Sequence, residues 1–281
     1  MMSQPVPPPL DGARDGPEHV EGPKPREGGR VLTATTSHKR EPLLPTLELF
    51  GVLGLRDIDL NLHHILETGV PVKAVADAVA THGMRLHLVS GGWCDFFHRS
   101  PEIDDTFASV SRQVAIGTEL GVSTLRLFFG RLRREDYSRA KADIVCSNLS
   151  RLSDAHPGFV FVFENHDGAS LDPVVCREIL DRVARPNIRM NFDPINFAKA
   201  GVDPAAALDV VRPVVGHVHL KGLEHGEYCE FGIGDVDLGP VVQSLVASGY
   251  TGRFTVEYEG RFDGTLRLYR SVKRARALLG D

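Results

Sequence analysis

Three carboxylates and one imidazole stand at comparable places in four apolar runs. Glu164 lies in FVFVFEN (159–165), Asp193 closes IRMNFD (188–193), His219 lies in VVGHVHLK (214–221) and Glu257 in RFTVEYE (253–259). Their separations are 29, 26 and 38 residues, each close to the length of one strand plus one helix. The set is hard and oxygen-rich. It suits Mn²⁺, Mg²⁺ or Co²⁺, and Zn²⁺ less well because no thiolate is offered. Carboxylates packed together repel unless a cation or a proton compensates them. Four such residues in register therefore point to one divalent metal ion, with Mn²⁺ the first expectation.

The elements that would carry these residues follow from periodicity. From residue 30, short β-branched and apolar runs alternate with amphipathic stretches. The strand candidates are 30–36, 55–62, 84–90, 123–129, 159–165, 188–193, 214–221 and 253–259. Helical patterns lie between them, at 71–83, 106–121, 138–155, 172–184, 203–213, 238–249 and 265–279. The first two end on a glycine suited to a helix C-terminus. Asp172-Pro173 and Asp203-Pro204 match a capping aspartate followed by proline at the first helical position. Strands alternating with helices imply parallel pairing, and about eight units over some 250 residues predict a (β/α)8 barrel of the TIM type. An open doubly wound sheet is the competitor. Its dinucleotide form is disfavoured because TATTSHKREP, after the first strand, holds no glycine. In a (β/α)8 barrel, active groups sit at the C-terminal ends of the strands. All four candidate ligands do so, on strands five to eight.

Composition narrows the class. The chain has 281 residues, 42% of them hydrophobic, enough for one large core. A net charge of −5 weighs against a nucleic-acid partner, which favours a basic face. Cys94, Cys146, Cys176 and Cys229 are far apart and form no CxxC pair, which fits a reducing, cytoplasmic setting. No apolar run reaches the ~18 residues of a membrane span, and no secretory signal pattern opens the chain. Residues 1–29 hold seven of the 18 prolines and few large apolar residues. They read as a disordered tail rich in proline and glycine, leaving 30–281 as a single barrel domain.

The motifs ENH, NFDPIN, HVHLKG and TVEYEG, with GIGDVD between the last two, resemble those of the xylose isomerase-like TIM barrel superfamily, in particular its sugar phosphate isomerase/epimerase branch. The resemblance runs from about residue 30 and is strongest from 159 to 260. It implies that Glu164, Asp193, His219 and Glu257 bind one divalent metal. It further implies an isomerase or epimerase acting on a small sugar or keto-polyol. One of the catalytic glutamates, Glu164 or Glu257, takes a proton next to a carbonyl, the metal stabilises the resulting enediolate, and the other carboxylate can return the proton on the opposite face. Sugar 3-epimerases of this kind carry a histidine three residues after the strand-six aspartate. Here that position is Asn196, which can bind a substrate hydroxyl but cannot shuttle a proton. A dehydratase or lyase of the same fold, acting as on inosose or 3-dehydroshikimate, begins with the same proton abstraction and is the alternative. A repair endonuclease of the AP type and a catalytically inactive binding module are more distant rivals. Assembly into a homo-oligomer is compatible with every one of these.

Further residues are expected around the metal. His217, His219 and Lys221 alternate in VVGHVHLKG and so share one strand face. Lys221, nearer the rim, is expected to contact substrate, and His217, one step deeper, to be structural. His166, two residues past Glu164, is expected to bind a substrate oxygen or orient Glu164. Trp93 in SGGWCDFFH can stack on the apolar face of a sugar. His98, His63 and His64 are candidates at the same rim, and Glu259 could stand in for Glu257. Gly232 and Gly234 in EFGIGDVD are expected to form a turn leading into the next helix, with Asp237 capping it.

Overall fold

The computed structural model describes residues 31–35, 41–260 and 263–280, so the tail expected at 1–29 lies outside the described residues. Among the described residues there are ten strands: β1 (Val31–Thr35), β2 (Asp57–Asn61), β3 (Arg85–Ser90), β4 (Thr124–Phe128), β5 (Val160–Glu164), β6 (Ile188–Phe192), β7 (Val215–Leu220), β8 (Gly222–Glu224), β9 (Glu227–Cys229) and β10 (Arg253–Val256). Eight of them close into a parallel barrel in the order β1-β10-β7-β6-β5-β4-β3-β2. β8 and β9 form a separate antiparallel hairpin inserted after β7, which makes β10 the eighth barrel strand.

The helices are α1 (Leu43–Val52), α2 (His63–Leu66), α3 (Val72–Thr81), α4 (Glu102–Glu119), α5 (Arg139–Ala155), α6 (Pro173–Val183), α7 (Pro194–Lys199), α8 (Pro204–Val211), α9 (Gly239–Ala247) and α10 (Gly264–Leu279). Seven of them match the amphipathic stretches read from sequence. Gly83 and Gly121 take left-handed backbone just past α3 and α4, as a glycine after a helix end does. The side chains of Asp172 and Asp203 cap α6 and α8 as expected. α1 has no counterpart among those stretches. Its LLPTLELFGV is apolar nearly all round, so it carries little period. Its internal proline, Pro45, falls in the first turn, where no intrahelical N–H is lost.

Along each strand, alternate residues face opposite sides. Leu125, Leu127, Phe161, Phe163, Val218 and Phe254 are fully buried and turn outward against the helices, within one continuous apolar cluster. The other face fills the barrel interior, as in other (β/α)8 barrels. Here that filling is markedly polar. Asp59, Arg126, Asn191, His217, His219 and Thr255 are all buried, and buried polar groups need partners. Thr255 bonds Asp59 and His217, whereas the side chains of Asn191 and His219 make no hydrogen bond.

Candidate functional site

Glu164, Asp193, His219 and Glu257 come together at the C-terminal ends of β5, β6, β7 and β10, which are consecutive neighbours in the sheet. One ligand-type atom from each lies within 4.8 Å of the other three, and all four residues are buried. His219 Nδ1 is 3.3 Å from Glu257 Oε2 and 3.7 Å from Glu164 Oε1. Neither ring nitrogen of His219 has a hydrogen-bond partner. A fully buried imidazole with both nitrogens unpaired, surrounded by three carboxylates, fits a cation held at that point.

The electrostatics state the same demand. Burial pushes the Glu164 carboxyl up, but Arg126 and His219 outweigh it and hold the group down at about 2. Burial likewise opposes ionisation of Glu257, and Lys221 and His219 pull it well below the usual carboxylate range. Asp193 is lifted to about 6 by burial, against the pull of Lys221. Burial disfavours a charged His219, yet Glu257 and Glu164 raise it to about 10. The acids thus call for positive charge among them, which Lys221 and Arg126 provide in part and to which a bound divalent ion would add.

Asp193 and Glu164 are aimed by hydrogen bonds and charge from the elements around them. Asp193 caps α7: its Oδ1 accepts from the Ile195 and Asn196 amides at 2.9 and 3.0 Å, leaving Oδ2 toward the cluster. Asn165 ties the two strand ends together, donating to the Asp193 carbonyl at 2.8 Å and accepting from the Asp193 amide at 2.9 Å. Asn196 Nδ2 donates to Glu164 Oε1 at 3.1 Å and to the Asn165 carbonyl at 3.0 Å. Its Oδ1 accepts from the Tyr228 hydroxyl on the hairpin at 2.9 Å. Arg126 Nε lies 3.3 Å from Glu164 Oε2.

The other expected residues fall in two groups. Trp93 and His166 sit side by side, with ring centroids 5.3 Å apart. Phe128 stacks on Trp93 at 4.4 Å and meets His166 edge-on at 5.0 Å. Trp93 stays 44% exposed, and Arg131 lies over its ring at 3.8 Å. Lys221 is fully buried against the acids. His217 is bound beneath the cluster, 3.2 Å from Asp59 Oδ2 and 2.8 Å from Thr255 Oγ1. His98 pairs instead with Asp95 at 3.5 Å and His63 with Glu67 at 2.9 Å, while His64 packs against His63. Glu259 contacts Lys221 and lies outside the four-ligand group. The β8–β9 hairpin precedes EFGIGDVD, in which Gly232 and Gly234 take positive φ, as a turn there requires. At its end, Asp237 accepts from the Gly239 amide at the start of α9, at 2.8 Å.

Arg126 and Tyr228 were not picked out from sequence. Arg126 left a signal, since a lone arginine inside the apolar run STLRLFF has to point into the barrel. Tyr228 left none, because its place depends on a short hairpin with no strong period.

A parallel eight-stranded barrel with a carboxylate–histidine cluster at its C-terminal rim defines a class of (β/α)8 proteins whose rim could hold a metal ion. Within it, a sequence model described as xylose isomerase-like TIM barrel matches residues 53–277, and the chain belongs to that family. A 3-dehydroshikimate dehydratase of Bacillus anthracis is 20% identical over 132 residues, covering 46% of this chain and 47% of the relative. The chain thus matches about half the length of that curated relative. Among solved structures, a probable 3-DHS dehydratase involved in petrobactin synthesis from Bacillus anthracis superposes with a TM-score of 0.74 at 14% identity, covering 87% of this chain and 98% of that one. A 3-keto-D-glucoside 4-epimerase from E. coli superposes at 0.71 with 17% identity, covering 89% and 100%. At such identities the structural likenesses establish the fold.

Proposed function

We propose that this protein is a divalent-metal-dependent isomerase or epimerase of a sugar or keto-polyol, working by proton abstraction next to a carbonyl. The observation that carries the proposal is the convergence of Glu164, Asp193, His219 and Glu257 around an imidazole with no hydrogen-bond partner. These four residues would hold the ion, and their oxygen-rich donor set favours Mn²⁺ over Zn²⁺. When bound, the ion supplies Lewis-acid polarisation of the substrate carbonyl and acidifies the neighbouring C–H.

The remaining chemistry belongs to the chain. Glu164 and Glu257 are held in their ionised forms by the cations around them. They stand on β5 and β10, three strands apart in the barrel, so one can take a proton and the other return it on the opposite face. The Asn196 amide fixes Glu164 Oε1, which keeps the base aimed. The wall of Trp93, Phe128 and His166 offers an apolar surface to a ring, with the His166 imidazole at its edge. Lys221 and Asn196 are the polar side chains nearest the acids. The net charge of −5 weighs against a nucleic-acid substrate.

A dehydratase is the second reading, and one observation favours it. Arg126 is only 5% exposed; its Nε faces Glu164 Oε2 at 3.3 Å, and its Nη1 has no hydrogen-bond acceptor. Such a donor suits a substrate carboxylate, and 3-dehydroshikimate, the substrate named for the Bacillus anthracis relative, carries one. Incubating the Mn²⁺-loaded protein with ketoses, keto-polyols and cyclic keto acids, followed by mass spectrometry, tests both. A product of unchanged mass supports isomerisation or epimerisation, and loss of water supports dehydration. Turnover that survives full removal of metal contradicts both.

A further inference from the structure

Lys221, at the end of β7, is a buried cation placed on top of the candidate ligands. Its Nζ lies 2.9 Å from Asp193 Oδ2 and 3.1 Å from Glu257 Oε2, and it also contacts Glu259 Oε2. The Tyr228 ring covers it at 4.5 Å. Two of its three acids therefore belong to the four-ligand group, and Glu259 does not. A divalent ion coordinated by Asp193 and Glu257 draws on the same carboxylates. Two cations sharing them at such range repel each other strongly in a site of low dielectric. A buried ammonium cannot remain there without an anion of its own. Glu259 is that anion, half-buried at the barrel rim with 29% of its side chain exposed.

Resting on the metal-centre reading above, we propose that Lys221 is an internal cation competing with the metal for Asp193 and Glu257. Glu259, by retaining the ammonium, then sets how tightly the metal binds. Glu259 is on this account a positioning residue that acts through Lys221, not a substitute ligand.

The test is a double-mutant cycle read by Mn²⁺ affinity rather than by activity. Wild type, Lys221→Met, Glu259→Gln and the double variant are stripped with EDTA, dialysed and titrated with Mn²⁺ by calorimetry. Lys221→Met is expected to bind Mn²⁺ about tenfold more tightly than wild type. Glu259→Gln is expected to bind it about threefold or more weakly, because the ammonium then leans wholly on Asp193 and Glu257. In the Lys221→Met background the Glu259→Gln effect should shrink below about twofold, the signature of coupled sites. Should Lys221→Met fail to fold, Lys221→Gln, which still donates to these oxygens, takes its place. Unchanged or weaker Mn²⁺ binding by the lysine variant overturns the proposal. So does an equal Glu259→Gln penalty in both backgrounds, which would make Glu259 a remote charge only. A wild-type protein that binds none of Mn²⁺, Mg²⁺, Co²⁺ or Zn²⁺ removes the metal-centre reading itself, and this inference with it.

Discussion

Glu164 shows how the barrel keeps a buried carboxylate both charged and aimed. One oxygen takes the Asn196 amide and the other faces the Arg126 guanidinium, so its ionisation and its direction have separate supports. Removing the charge while keeping the shape isolates its chemical role. Glu164→Gln and Glu257→Gln are each expected to lower kcat about a thousandfold, with far-UV circular dichroism unchanged, on whichever substrate the mass-spectrometric survey identifies. At this scale the sequence was partly legible. Residue type and strand-end position singled out the four residues that converge. Asn196 was expected to face substrate, and in the structure its side chain also bonds Glu164, Asn165 and Tyr228. The Tyr228 contact was not legible, because it depends on a hairpin remote from NFDPIN in sequence.

At the scale of elements, the same Asp-Pro device appears three times. Asp172, Asp193 and Asp203 each cap a helix whose first residue is proline. Two of the three were read from sequence as caps, and the third was read only as a ligand. Its Oδ1 caps α7 while its Oδ2 faces Lys221 and the cluster. Asparagine caps about as well as aspartate, and alanine does not. In EDTA, Asp193→Ala is therefore expected to unfold in urea at a stability about 0.5–2 kcal/mol below that of Asp193→Asn, while both variants lose Mn²⁺ binding. Equal stability of the two would show that the cap carries no weight. Long amphipathic helices and their glycine ends were legible because a period over ten or more residues is hard to mistake. α1, α7 and the β8–β9 hairpin were not. They are short or uniformly apolar, and their conformation is decided by what they pack against.

At the scale of the whole molecule, the two ends of the barrel do different work. The C-terminal rim gathers groups that need a cation, whereas the polar groups at the opposite end satisfy one another. Asp57 there pairs with His87 Nε2 at 2.5 Å and Arg85 at 2.8 Å. Burial pushes its carboxyl up, but the hydrogen bonds from His87 and Arg85 outweigh that and hold it below its ordinary value. A carboxyl depressed on folding contributes stability above its unfolded value, and that contribution is lost as pH falls through the folded value. The stability gap between wild type and Asp57→Asn is therefore expected to be full at neutral pH and to close below about pH 4, as read from urea unfolding at a series of pH values. A gap that is constant down to pH 2 would contradict the pairing. The barrel was legible at this scale because strand and helix periods alternate without a break from the second strand to the last. The substrate was not, because no local period encodes the shape of the loops around Trp93 and Tyr228.

The central claim is that this rim uses a divalent ion to make a C–H next to a carbonyl exchangeable. Its most direct test is solvent exchange in D₂O, with Mn²⁺-loaded protein, a panel of keto-sugars, keto-polyols and cyclic keto acids, and proton NMR at the carbon beside the carbonyl. The expected result is deuterium at that carbon of at least one compound, abolished by EDTA, restored by Mn²⁺ and absent with Glu164→Gln or Glu257→Gln. Exchange indifferent to EDTA and to both glutamates, or no exchange in any compound the protein turns over, would contradict the account.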